Sequence, residues 1–407
     1  MKRELPVHAR MDQFSIRENE IHVGGFSITE LSKQFGSTPF YVYDKQVIAQ
    51  RVSRLRQLLP SDVHVHYAIK ANPMQQLVNY MSELVDGFDV ASAGELKKVL
   101  QTDIDRSNIS FAGPGKDKSE LELAISEGIV INAESHTELL TIAELCDQMA
   151  KPAHIALRVN PDFELKSSGV SMGGGAKQFG IDAEQIPQAL QFMKARQMSL
   201  NGFHIFAGSQ NLSHTAIIDA QENTFQLANR LAEAWAEPIE SLNIGGGFGI
   251  PYFPGDRHLQ LEPIAEYLHK KMSQIRFPKI ILELGRYLVG EAGLYVSKVL
   301  DKKVSRGQTF LITDGGLHQH LAASGNFGQV IRKNYPVIIG NKAAQPLSET
   351  ATIVGRLCMP LDIIADKLRV PCTEIGDLVV VYQSGAYGYS ASPADFLNHP
   401  QIREYLI

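Results

Sequence analysis

From Val63 onward, short apolar runs and helical periodicities take turns along the chain. Val63, Val65 and Tyr67 alternate with His64, His66 and Ala68, the pattern of a strand with two unlike faces. Strand-like runs fall at 63–70, 87–92, 109–113, 129–134, 154–160, 202–208, 241–246 and 279–284. Helical spacing fills the gaps at 74–85, 93–102, 117–127, 136–149, 183–197, 214–236 and 261–275. Strands alternating with helices over this length predict a parallel sheet with helical crossovers. Eight such units predict an α/β fold closed into a (β/α)8 TIM barrel. An open doubly wound sheet would carry a dinucleotide fingerprint after its first strand, and none is there.

The flanks read differently. Residues 20–28 have strand character around Gly24-Gly25, Thr29 suits a helix cap before 31–35, and 40–43 is a short strand. Residues 46–59 show helical spacing at Val47, Ile48, Val52, Leu55 and Leu58. After Arg286 the period shortens, with apolar or alternating runs at 294–300, 309–313, 336–339, 350–354 and 378–383. The expected organisation is an N-terminal arm with strands associating with a β-domain (1–39), a barrel (40–290) and a C-terminal all-β domain (291–407). Residues 161–180 form the longest connection without a pattern; it follows a barrel strand, and a long glycine-rich connection of this kind is expected to be either a lid or disordered.

Composition narrows the class of protein. The chain has 407 residues, 44% hydrophobic and 20% charged, with net charge −5, which offers no electrostatic case for nucleic acid or an anionic membrane. No stretch is long and apolar enough to span a bilayer, and the N-terminus lacks a signal-peptide core. Cys146, Cys358 and Cys372 fit neither a zinc pattern nor a disulfide framework, so no metal is expected and the cytoplasm is the expected compartment.

Barrel enzymes work at the carboxyl ends of their strands. There the chain offers Lys70, Asp89 with Ser92, Gly113, Glu134, Arg158, His204 with Ser209, Gly245–Gly247, and Glu283 with Arg286. Each alone also reads as a cap, a turn or a solvated strand end. Lys70 is a lysine at the end of an apolar strand. Burial there would favour its neutral, nucleophilic form, suited to a Schiff base with a carbonyl cofactor. Glycines 245–247 would let backbone N–H groups approach a phosphate, and Ser209 adds a hydroxyl.

Five stretches then stand in order: Tyr67-Ala68-Ile69-Lys70-Ala71-Asn72, Gly245–Gly247, Glu283-Leu284-Gly285-Arg286, Cys358 with Asp362, and Gly385-Ala386-Tyr387. Together they resemble the motifs of the fold type III pyridoxal-phosphate decarboxylases, the family of diaminopimelate, ornithine and biosynthetic arginine decarboxylases, whose barrel is shared with alanine racemase. The resemblance covers essentially the whole chain. It is closest to the diaminopimelate-decarboxylase-like proteins associated with exosortase and exopolysaccharide gene clusters.

The resemblance implies pyridoxal 5′-phosphate as cofactor, on a Schiff base to Lys70, and α-decarboxylation of an amino acid or amino-acid conjugate. Glu283 would contact the pyridine nitrogen; related racemases put an arginine there. Gly246, Gly247, Ser209, Arg286 and Tyr387 would share the phosphate, Gly245 and Gly285 would also line the cofactor, Asp89 and Arg158 would support the ring and lysine, and His204 would join Lys70, Glu283 and Cys358 as a catalytic residue. Cys358 would return a proton to the substrate carbon from the partner subunit, which implies a homodimer with sites at its interface. Met359, Asp362 and Tyr387 would join Cys358 around the substrate.

Two departures stand out. Phe206 occupies the place of the family's ring-stacking histidine, with His204 two residues earlier on the same strand face. Met359 replaces the acidic residue that follows the family's cysteine, and 314–320 lacks the arginine used nearby by diaminopimelate decarboxylases. The substrate, free or tethered to a carrier protein, is therefore expected to lack a basic tail. An amino-acid racemase on the same barrel, and a non-catalytic homologue that binds the cofactor, are the alternatives.

Overall fold

A computed structural model describes residues 6–164, 170–325 and 333–407. The chain divides into two compact units, one of residues 51–250 and 258–288, the other of the N-terminal 50 residues, 251–257 and 289–407.

The first unit is the barrel. Its strands are β1 (Val63–Ala68), β2 (Gly87–Val90), β3 (Ile109–Phe111), β4 (Val130–Ala133), β5 (His154–Asn160), β6 (Leu200–Ile205), β7 (Ser241–Asn243) and β8 (Lys279–Leu284). They pair in parallel in sequence order, and β8 pairs with β1, which closes the sheet. One further strand of two residues, Ile181–Asp182, pairs in parallel with the end of β5. Helices follow the strands because the connecting sequences carry start signals. Ser92, Asp117, Ser135 and Ser213 each accept an N–H of the first helical turn. Ser92 is thus a helix cap, not part of the polar cluster that the barrel gathers.

Register decides which strand ends meet. His204 lies beside Arg158 on one side and Asn243 on the other, and Glu283 lies beside His66. Beyond Ala68 the chain tightens into a 3-10 turn, Ile69–Ala71, which carries Lys70. Gly285 permits this turn to sit close: a Cβ there would come 3.0 Å from Ala71 Cβ and 3.2 Å from the Ala68 carbonyl oxygen.

The second unit is all β. Its long strand Gly293–Ser305 pairs with Phe40–Tyr43, Gln308–Thr313 and Leu378–Val381, and Val337–Ile339, Glu349–Val354 and Ile363–Val370 extend the sheet. Phe14, Ile21, Val23, Ile28 and Leu31 share one core with Phe40, Val42, Leu294, Val296 and Val380. The boundary drawn at residue 40 therefore moves. Phe40–Tyr43 is buried on both faces between Gly293–Ser305 and the C-terminal strand Arg403–Leu406, so it is a central strand of the β unit. The N-terminal helix starts earlier than its spacing predicts, at Ile28, because Ser27 and Glu30 form a capping box. Among the described residues no helix is long and apolar enough to cross a membrane.

The connection 161–180 is not without structure where it is described. Val170–Ser171 pairs antiparallel with Gly208–Ser209, and the Met172 and Gly173 N–H groups donate to the Ala207 carbonyl. Residues 165–169, which the lid expectation includes, lie outside the described residues.

Candidate active site

Glu283 is the hub of the polar end of the barrel. It is 5% exposed, and its two oxygens face different partners. His204 Nε2 donates to Oε2 at 3.1 Å, and Lys70 Nζ stands 3.6 Å from Oε1. Burial alone would raise this carboxyl. The Lys70 charge, the His204 hydrogen bond and the more distant Arg158 outweigh it and hold the group ionised, well below the ordinary carboxylate value. Lys70 itself is not buried: its side chain is 43% exposed. The sequence argument for a desolvated lysine is thus corrected. What distinguishes Lys70 is an anionic partner in a buried site, with the Phe206 ring centroid 5.8 Å from its nitrogen.

Phe206 and His204 meet edge to face, with ring centroids 6.4 Å apart. The His204 ring points its nitrogen at Glu283 while Phe206 presents a hydrocarbon face. The histidine and the flat ring are both present, but on two residues instead of one.

The glycine run after β7 is shaped by what it must clear. Gly245 and Gly247 have φ of +65° and +76°, where L side chains are strained. A Cβ on Gly246 would lie 2.1 Å from the Glu283 carbonyl oxygen. The Glu283 N–H donates to the Gly245 carbonyl at 2.8 Å, so this turn is tied to the backbone of the residue that carries the hub carboxylate. Ser209 lies in the short strand Gly208–Ser209, and Arg286 opens the short helix after β8.

Arg158 and Asp89 are anchored by other groups. Arg158 Nη1 donates to Glu134 Oε1 at 2.8 Å, and its guanidinium lies 4.8 Å from the Phe179 ring centroid. Glu134 also accepts the Gly113 and Gly180 N–H groups. Burial opposes its charge, but Arg158 and these donors keep its carboxyl below the usual range. Glu134 is a positioning residue that sequence reading left without a role; its place at a strand end was the available signal. Asp89 lies deeper in the barrel, accepting from Ser110 Oγ and standing 3.7 Å from His66 Nδ1.

The β unit carries the other candidates. Cys358 is exposed and Met359 half-buried. Asp362 is 3% exposed, and its oxygens accept the Leu317 N–H at 2.6 Å and the Leu357 N–H at 2.9 Å. This corrects its expected substrate role: both oxygens are spent on the backbone, and Asp362 instead fixes the turn that bears Cys358. Tyr387 takes φ +53° two residues after Gly385, where a Cβ would strike the Val289 carbonyl oxygen.

A buried carboxylate kept anionic, a primary amine beside it, an aromatic face and a glycine cradle suit a flat, phosphorylated, carbonyl-bearing cofactor. The family model described as "Pyridoxal-dependent decarboxylase, pyridoxal binding domain" matches residues 45–290. This chain belongs to that family. The decarboxylase is 38% identical over 390 residues to an L-glutamyl-[BtrI acyl-carrier protein] decarboxylase of Niallia circulans, covering 93% of this chain and 90% of the relative. It is 31% identical to the 2-[(L-alanin-3-ylcarbamoyl)methyl]-2-hydroxybutanedioate decarboxylase of Staphylococcus aureus, over 92% and 95% of the two chains. Among solved structures it is similar to a diaminopimelate decarboxylase from M. jannaschii in complex with L-lysine, with a TM-score of 0.86, 26% identity, and coverage of 97% and 93%. Its cofactor is pyridoxal 5′-phosphate, and it is a carboxy-lyase acting on an amino acid or an amino-acid conjugate. The racemase and non-catalytic alternatives give way to that assignment.

Proposed function

We propose that this decarboxylase acts on an amino acid whose side chain is conjugated or carrier-linked and ends in no basic group, in a cytoplasmic homodimer. The observation that carries the catalytic part is Glu283, buried yet ionised between Lys70 and His204. Bound at this site, pyridoxal phosphate supplies an electron sink for the pair left behind as CO2 departs. Lys70 would hold its aldehyde and Glu283 its ring nitrogen, where a fixed anion keeps a proton on that nitrogen. His204 donates to Glu283 and fixes the carboxylate's direction. Phe206 would cover one ring face, and Ser209, the 245–247 amides, Gly285 and Arg286 would take the phosphate. Arg158, held by Glu134, adds positive charge that favours the ionised Glu283.

Cys358 of a second copy is the proposed proton donor to the substrate carbon; its thiol is exposed on a turn pinned by Asp362. Free Cys146, Cys358 and Cys372 accord with a reducing compartment. Met359, beside the donor, offers no charge for a distal ammonium, and a buried cation without a partner is costly. The names of the two relatives above support the substrate class, since one acts on a carrier-bound glutamyl group and the other on a hydroxybutanedioate that carries an L-alanin-3-ylcarbamoyl group.

The test has two arms. Borohydride treatment of the yellow holoenzyme should bleach it and add cofactor mass to the Lys70 peptide, and Lys70→Ala should lose both effects. CO2 release should then be measured across free, conjugated and carrier-linked amino acids. Turnover of meso-diaminopimelate with kcat/KM in the ordinary ~10⁴–10⁸ M⁻¹s⁻¹ range would refute the proposed substrate class.

A further inference from the structure

Asp362 clasps two turns of the β unit. Its oxygens take the N–H groups of Leu317 and Leu357, so the neighbours of those residues are brought side by side: His318 on one turn, Arg356 and Cys358 on the other. Gly316 and Gly355 make the clasp possible, because a Cβ on either would come within 2.5 and 2.1 Å of the same carboxylate. His399 completes the group, its ring centroid 5.2 Å from that of His318.

This is a set of donors short of an acceptor. His318 is fully buried, yet among the described residues neither ring nitrogen has a hydrogen-bond partner. Such groups are rare in native proteins, since a buried polar atom that gives up water without gaining a partner is destabilising. Arg356 is exposed and, among the described residues, is in no hydrogen bond or ion pair. The acids nearby are already committed. Asp362 holds the clasp, and Asp314 accepts the Lys298 N–H and the Thr38 hydroxyl. Burial, then the His399 and Arg356 charges, push the His318 imidazole down to about 4, so near neutrality it is an uncharged ring with one N–H to give. A guanidinium beside a neutral imidazole donor suits a carboxylate or phosphate and repels an ammonium.

We infer that Arg356, His318 and His399 form the subsite for an anionic group at the end of the substrate farthest from its amino-acid head. This rests on the proposed role of Cys358, which places the substrate against the same turn. The anion has two sources with one chemistry: a carboxylate on a free conjugate, or the phosphate of a carrier protein's pantetheine arm.

Binding to the holoenzyme, measured by calorimetry, separates them. Nε-succinyl-lysine is compared with Nε-acetyl-lysine, and pantetheine 4′-phosphate with pantetheine. The anionic member of at least one pair should bind ~10-fold or more tightly than its neutral partner. Preference in the first pair marks a conjugate carboxylate, and in the second a carrier arm. In Arg356→Gln the preference should collapse to about twofold or less; Arg356 is exposed, so this variant keeps its fold. His318→Asn should weaken the same preference. Absence of preference in both pairs, or a preference that survives Arg356→Gln, overturns the subsite. Because the readout is binding, loss of turnover in Cys358→Ala bears on the proton donor alone.

Discussion

At the scale of the residue, Glu283 does the most with the least exposure. Its charge is opposed by burial and sustained by Lys70, His204 and Arg158. Glu283→Gln keeps the shape and removes the charge. We expect kcat to fall by about 10²–10⁴-fold, the range seen when a positioned proton-handling group is lost. Steady-state kinetics with borohydride-fixed mass on Lys70 as a parallel readout separates this from failure to bind cofactor. Activity within about threefold of the parent would remove Glu283 from the chemistry. Phe206 shows why a residue-by-residue transfer from a family is insufficient: the flat ring stands at Phe206, while His204 on the same strand face is hydrogen-bonded to Glu283.

At the scale of the element, the turn after β7 and the turns around Asp362 govern what their neighbours can do. Gly246→Ala would push a methyl onto the Glu283 carbonyl, which is backbone and cannot rotate away. A loss of about 1–3 kcal/mol of stability, with weaker cofactor retention, is expected from denaturant melts and absorbance. A variant with unchanged midpoint and unchanged cofactor affinity would show that the cradle has slack. In the β unit, burial depresses His318 to about 4 and His320 to about 3. Their unfolded counterparts titrate near ~6.5, so between that pH and the folded values the unfolded chain binds more protons. The stability contributed by these neutral rings is complete above about pH 6.5 and is lost as pH falls through the folded values. Urea midpoints should therefore drop between pH 7 and pH 5, and less steeply in His318→Gln. A midpoint independent of pH over that interval would contradict the burial of both rings.

At the scale of the whole molecule, the proposal is a dimer whose sites draw on both copies. Lys70→Ala and Cys358→Ala subunits are each expected to be inactive. After random exchange, half the dimers are mixed, and one of their two sites keeps both residues, so activity should recover to about a quarter of the parent. No recovery despite subunit exchange shown by mass would confine Cys358 to its own subunit or take it out of catalysis.

Much of this was legible in the chain. Eight apolar runs separated by helical periods pointed to a barrel, because strands alternating with helices form a parallel sheet, eight units are the number that closes it, and the fingerprint of an open doubly wound sheet is missing. The glycines at 245–247 and the lysine after β1 could be named because their chemistry is local. The strand Ile363–Val370 escaped notice because its polar residues and the φ of +47° at Lys367 interrupt the alternation. Phe40–Tyr43 was assigned to the wrong unit because a strand buried on both faces carries no mark of the sheet it joins. Asp362 looked like a ligand for substrate, and only the fold shows its oxygens spent on Leu317 and Leu357. Residue type and period determined the barrel and its candidate chemistry. Which polar groups face one another, and which of those pairs is left with a bond to make, came from register and turns, since a hydrogen bond is set by distances between atoms far apart in sequence.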